Sequence, residues 1–181
     1  PSGGATAEAC NGLDDDCDGL LDESAPGAWV SFTGSFGTRW IMAYEASRPD
    51  ATASSPGSAT HRVCSEAGRL PWTDVTYEEA QAACATVGGR LCTEGEWQRA
   101  CEASAGSCDW SFASSCGTYA GNETTCNGND YDVDAAQGGD QDGVLPTGSL
   151  PSCHAWWAGE GGIFDLSGNV NPGVIEYQDA P

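Results

Sequence analysis

The chain has 181 residues and a mass of 18.6 kDa, about one domain with enough length to bury a core. Asp and Glu number 27 against 6 basic residues, giving a net charge of -21; such a surface repels phosphate backbones and anionic bilayers, so nucleic-acid partners are excluded. No run of apolar residues is long enough for a membrane-spanning helix, so membrane insertion is not expected.

The 10 cysteines are even in number and are not arranged as Cys-x-x-Cys pairs. That pattern reads as disulfides in an oxidising, extracellular or cell-surface setting rather than as a zinc site. A surplus of carboxylates suits hard divalent cations, calcium above all.

The first element is Asp14-x-Asp16-x-Asp18-Gly19, with Asp22 and Glu23 beyond it. Alternate carboxylates on a tight loop can converge on one cation, and the glycine permits the turn. The expected ligands are Asp14, Asp16 and Asp18, the backbone oxygen of Leu20, and Asp22 or Glu23 to close the shell. Cys10 and Cys17 are near enough in sequence to staple the loop. The spacing is similar to that of EF-hand and thrombospondin type 3 loops, without a glutamate at the twelfth loop position. Residues 1–25 are therefore expected to form an Asp-rich calcium-binding motif; the alternative is a solvated acidic linker.

Trp29-Val-Ser-Phe32 and Arg39-Trp-Ile-Met-Ala-Tyr44 read as short strands, and residues 48–60 as a long loop. Thr76-Tyr-Glu-Glu79 is a capping box that opens a helix with Tyr77, Ala80, Ala83, Cys84 and Val87 on one apolar stripe. Gly88-Gly89 ends it. Thr93-Glu-Gly-Glu96 opens a second, short helix carrying Trp97, Ala100 and Cys101. Trp29, Trp40, Trp72 and Trp97 are assigned to the core. From residue 104 onward Gly, Asn, Asp, Ser and Pro dominate, so no long regular element is expected there. Trp156-Trp157 is either a stacking platform for a sugar or a buried pair, with at least one ring expected inside. His61 and His154 have no His or Cys partner at ligand spacing. No nucleophile elbow and no phosphate-binding glycine loop occurs.

One stretch carries a family likeness. Residues 72–102 run Trp-Thr-Asp-Val-Thr-Tyr-Glu-Glu-Ala-Gln-Ala-Ala-Cys and then Gly-Gly-Arg-Leu-Cys-Thr-Glu-Gly-Glu-Trp-Gln-Arg-Ala-Cys-Glu. This resembles the central signature of the formylglycine-generating-enzyme-like (sulfatase-modifying factor) family. Asp165-Leu-Ser-Gly-Asn-Val170 resembles that family's Asp-x-Ser-Gly-Asn-Val segment, and Tyr44-Glu-Ala-Ser-Arg-Pro-Asp50 adds to the likeness. An acidic Cys10-to-Glu23 motif placed before such a domain resembles secreted proteins of myxobacteria. The resemblance implies an α+β, C-type-lectin-like fold with two short helices, a small antiparallel sheet and long, disulfide-rich loops. It also implies a calcium ion held by the side chains of Asn127 and Asp142 with the carbonyls of Gly128 and Val144. A second would use Asp165 with the carbonyls of Gly168 and Val170. The other reading is that these residues only shape turns. A role for Glu176 depends on how the segment after Val170 aligns.

The resemblance implies two further segments, Arg-Gly-Gly-Ser and a C-terminal Gly-Phe-Arg-Cys, that supply core strands and, in the oxidases, a copper-binding cysteine pair; the chain stops before them. Residues 26–181 are thus expected to be a family domain without those C-terminal strands. The expected function is a non-catalytic, calcium-binding surface or adhesion module. Self-assembly through a strand donated by a neighbouring subunit, as in a filament, and a chain that is a fragment both remain open. The alternatives are part of a copper-dependent oxidase of the formylglycine-generating type and a calcium-dependent carbohydrate-binding module for a surface glycan.

Overall fold

Val30 and Phe32 alternate with more exposed neighbours, and this period of two makes Trp29–Gly34 a strand (β1) with one buried face. It turns at Ser35-Phe36 and pairs antiparallel with Gly37–Met42 (β2), in the register Trp29↔Met42 to Gly34↔Gly37. The computed structural model describes residues 6–22, 27–104, 125–128, 131–134, 136–138, 143–169 and 176–178.

Both capping boxes are formed. The Thr76 hydroxyl accepts from the Glu79 N–H while the Glu79 carboxylate accepts from the Thr76 N–H, opening α1 (Tyr77–Ala85). Thr93 and Glu96 do the same at the start of α2 (Glu94–Cys101). Ala80, Ala83 and Cys84 of the expected stripe are buried, but Tyr77 is 65% exposed. It is the first residue of the helix, a turn ahead of the residues that pack. The chain leaves α1 through Gly88, at φ 75°, into the short strand β3 (Gly89–Leu91).

Two further strands stand in the glycine-rich half: β4 (His154–Trp157) and β5 (Gly161–Phe164) form a separate antiparallel hairpin. A last strand, β6 (Glu176–Gln178), lies between β2 and β3, so the main sheet has the order β1-β2-β6-β3. The Phe164 N–H donates to the Ala43 carbonyl at 2.8 Å and ties the hairpin to the end of β2.

The principal core joins β1, β2, α2 and the hairpin through Val30, Phe32, Ile41, Ala100, Trp157 and Ile163. Trp157 meets Phe32 edge-on at 5.7 Å, and its indole N–H donates to the Ala100 carbonyl. A second cluster gathers Met42, Ala46, Val63, Trp72 and Ala83 under α1. The expected core tryptophans divide accordingly: Trp72 is buried, whereas Trp29, Trp40 and Trp97 are partly covered.

Arg90 binds both carboxylate oxygens of Glu96, at 2.9 and 2.7 Å, and locks β3 to the start of α2. Arg39 of β2 lies 3.5 Å from the same carboxylate. Hydrogen bonds from Arg90 and Thr93 outweigh burial and hold the Glu96 carboxyl down at about 2.

Candidate metal centre

Glu8, Asp14 and Asp16 form the acidic cluster of the N-terminal loop. One carboxylate oxygen from each lies within 4.8 Å of the others, the arrangement that could hold a metal ion. Each carboxylate is oriented by backbone N–H groups of the loop itself. Asp15 and Asp16 donate to Glu8 Oε1 at 2.8 and 3.0 Å, and Asp22 donates to Glu8 Oε2 at 2.8 Å. Asp18 and Gly19 donate to the two oxygens of Asp14, and Asp18 donates also to Asp16. Gly19 takes φ 96°, the turn for which the sequence supplies a glycine. Glu8 is 7% exposed and Asp14 and Asp16 are half-buried, so like charges are held together with little solvent around the first of them.

The structure brings Asp14 and Asp16 together and adds Glu8, which lies ahead of the sequence motif. Asp18 turns its carboxylate to the Leu20 N–H at 2.9 Å, and Leu20 is exposed. Asp22 lies outside the triplet. Its carboxylate is wholly buried, accepting from the N–H groups of Asn11 and Gly12 at 2.6 and 2.8 Å and facing His61 Nε2 at 2.6 Å. Glu23 lies outside the described residues.

The expected Cys10–Cys17 staple is replaced by another pairing. Cys10 is bonded to Cys64, across 54 residues, and Cys17 is an exposed free thiol. The reason is geometric: the loop curls with its carboxylates gathered, Cys10 faces the domain at 2% exposure, and Cys17 stands outward at φ 65°. The disulfide and the Asp22–His61 contact therefore fasten the acidic loop to the 61–65 segment rather than to itself.

The second region lies beside the hairpin. A Cys126–Cys153 disulfide brings the 126–128 turn against it. Asn127 Nδ2 donates to the Gly143 carbonyl at 2.8 Å and to Asn169 Oδ1 at 2.9 Å, so the 127–128 and 143–145 segments meet through Asn169. Asn169 in turn donates to Glu45 and to the Leu145 carbonyl. The backbone of Gly168 passes so close that an added Cβ would stand 2.5 Å from the Asn127 carbonyl oxygen. Gly128 is half-buried and Val144 is exposed; Asp142 and Val170 lie outside the described residues.

Asp165 sits at φ 60° after β5 and is 8% exposed. Its carboxylate accepts from the Gly148 N–H, and burial pushes its carboxyl up to about 6. A buried carboxylate with so little compensation suits a cation beside it. The Cys101 thiol is pushed by burial up to about 12, which keeps it protonated and unreactive at neutral pH.

The family model described as the sulfatase-modifying factor enzyme 1-like domain matches residues 26–176. No curated protein and no solved structure matches the chain. No described helix is long and apolar enough to cross a membrane.

Proposed function

The chain belongs to the sulfatase-modifying factor enzyme 1-like family, and from that premise we propose that it serves as a non-catalytic, calcium-binding module of the cell surface or extracellular space. The observation that carries this reading is the Glu8-Asp14-Asp16 cluster, anchored to the domain by a disulfide and by the buried Asp22. Hard oxygen donors, all anionic, suit calcium rather than a thiophilic metal. Glu8, Asp14 and Asp16 would hold the ion, with the loop N–H groups keeping the carboxylates aimed. The ion would supply charge compensation and cross-linking, not chemistry on a substrate. The two disulfides among the described residues and the strong negative charge accord with an oxidising, extracellular setting. The inert Cys101 thiol accords with a structural role.

Calorimetric titration of calcium into chelator-treated protein tests this. Heat of binding should appear, and the thermal midpoint should rise by about 5–10 °C when calcium stands a hundredfold above its dissociation constant. Asp14→Asn with Asp16→Asn should abolish both. No heat and an unchanged midpoint in the parent protein would overturn the reading.

A further inference from the structure

The described residues include every arginine of the chain, and there is no lysine. All of these cations are engaged internally. Arg90 and Arg39 face Glu96, Arg69 pairs with Glu66, Arg99 pairs with Glu102, and Arg48 donates to the Ala59 carbonyl. Arg62 is engaged as well. The molecule uses its guanidinium groups repeatedly on aromatic faces: Arg48 lies 4.0 Å from the ring centroid of Trp72, Arg99 lies 4.6 Å from that of Trp157, and Arg39 lies 5.7 Å from that of Phe36.

Trp156 differs. It is 57% exposed on β4, next in sequence to the buried Trp157. Opposite it in the hairpin stands Gly162, which offers no side chain to cover the indole. Among the described residues its ring neighbour is His154, met at 77° between planes, which leaves indole surface open to solvent. His154 continues to Phe164 and then to Tyr44, so Trp156 is the open end of a row of aromatic rings.

We propose that Trp156 is a docking point for an arginine-bearing segment of a partner polypeptide. Two observations select this occupant. The net charge of -21 concentrates cations around the molecule and repels anions. The chain's own arginines already hold internal partners, which favours a guanidinium from a molecule of different composition over one from a second copy of the chain. The indole face is the aromatic surface that attracts a guanidinium most strongly.

The probe is an acetylated, amidated Gly-Arg-Arg-Gly peptide, titrated against the full chain and followed by tryptophan fluorescence and calorimetry. Trp156→Phe and Trp156→Leu are compared, with thermal midpoints as the check on folding; at an exposed site both should fold. Removing the indole should weaken binding about two- to fivefold, with the leucine variant weaker than the phenylalanine one, because only the latter keeps a ring quadrupole. The decline of affinity with salt should keep its slope, since the overall charge is unchanged. Equal affinity in all three proteins would overturn the proposal and leave only diffuse attraction to an acidic surface. Binding of a neutral hexose oligosaccharide that is lost in Trp156→Leu, with the peptide unaffected, would overturn it in favour of a sugar platform.

Discussion

His61 Nε2 lies 2.6 Å from the wholly buried Asp22 Oδ2, across 39 residues of chain. Asp22 also receives the N–H groups of Asn11 and Gly12, so one carboxylate both shapes the acidic loop and fastens it to the domain. The two partners should not be equivalent on truncation. Asp22→Ala removes the acceptor of two partly buried N–H groups and of the exposed imidazole, at a cost of about 2 kcal/mol; His61→Ala leaves a carboxylate that keeps its N–H donors, at about 1 kcal/mol. Urea unfolding of the two variants measures this. A larger loss for His61→Ala would mean that Asp22 is not the anchor.

The Cys10–Cys64 disulfide closes a loop of 54 residues, for which the chain-entropy account gives about 4 kcal/mol. Replacing both cysteines by alanine should lower stability by about that amount. Alkylation of the intact protein without reductant should modify Cys17, and peptide mapping should recover Cys10 joined to Cys64. Recovery of Cys10 joined to Cys17 would contradict the pairing.

Two carboxyls give opposite dependences on pH. Glu96 is held at about 2 against an ordinary 4.5, so its contribution is full above 4.5 and is lost as pH falls towards 2. Asp165 is raised to about 6 from 3.8, so its contribution is full below 3.8 and is lost as pH rises through 6. In chelator, Asp165→Asn should remove the destabilisation of the parent protein between pH 4 and 6, and Glu96→Gln should remove that below 4.5. Thermal midpoints recorded across this range check both signs.

Two glycine-to-alanine changes should differ in sign. At Gly168 the new Cβ would meet the Asn127 backbone and push apart the segments that Asn169 joins, a loss of about 1–3 kcal/mol. At Gly95, in α2, nothing lies within 4 Å of the new atom, and alanine should stabilise by up to about 1 kcal/mol. Chemical denaturation of the pair is the measurement.

What the sequence made legible was local. Thr76 with Glu79 and Thr93 with Glu96 are contacts three residues apart, and both helices start where those pairs stand. Strands β1 and β2 followed from their aromatic and β-branched residues, while their pairing in one hairpin is read from the structure. The hairpin of β4 and β5 was hidden because glycines occupy the places opposite both Trp156 and Trp157 and leave no alternating pattern on β5. The partner of Cys10 was hidden for a different reason: nearness along the chain favours Cys17, but folding brings Cys64 to it from 54 residues away. Glu8 was missed in the same way. It precedes the Asp-x-Asp-x-Asp pattern, and only the curl of the loop sets it against Asp14 and Asp16. A buried glutamate whose oxygens accept three backbone N–H groups has no signature in the sequence.

The internal engagement of every arginine bears on how the molecule meets proteases. Trypsin-like proteases cut after Lys and Arg, and here they find no lysine and six arginines that already hold the fold together. Cleavage at such a site requires the local structure to open first, so the folded domain should resist digestion until it unfolds. The same composition leaves no side-chain primary amine for lysine-directed cross-linking enzymes or amine-reactive labels to attack.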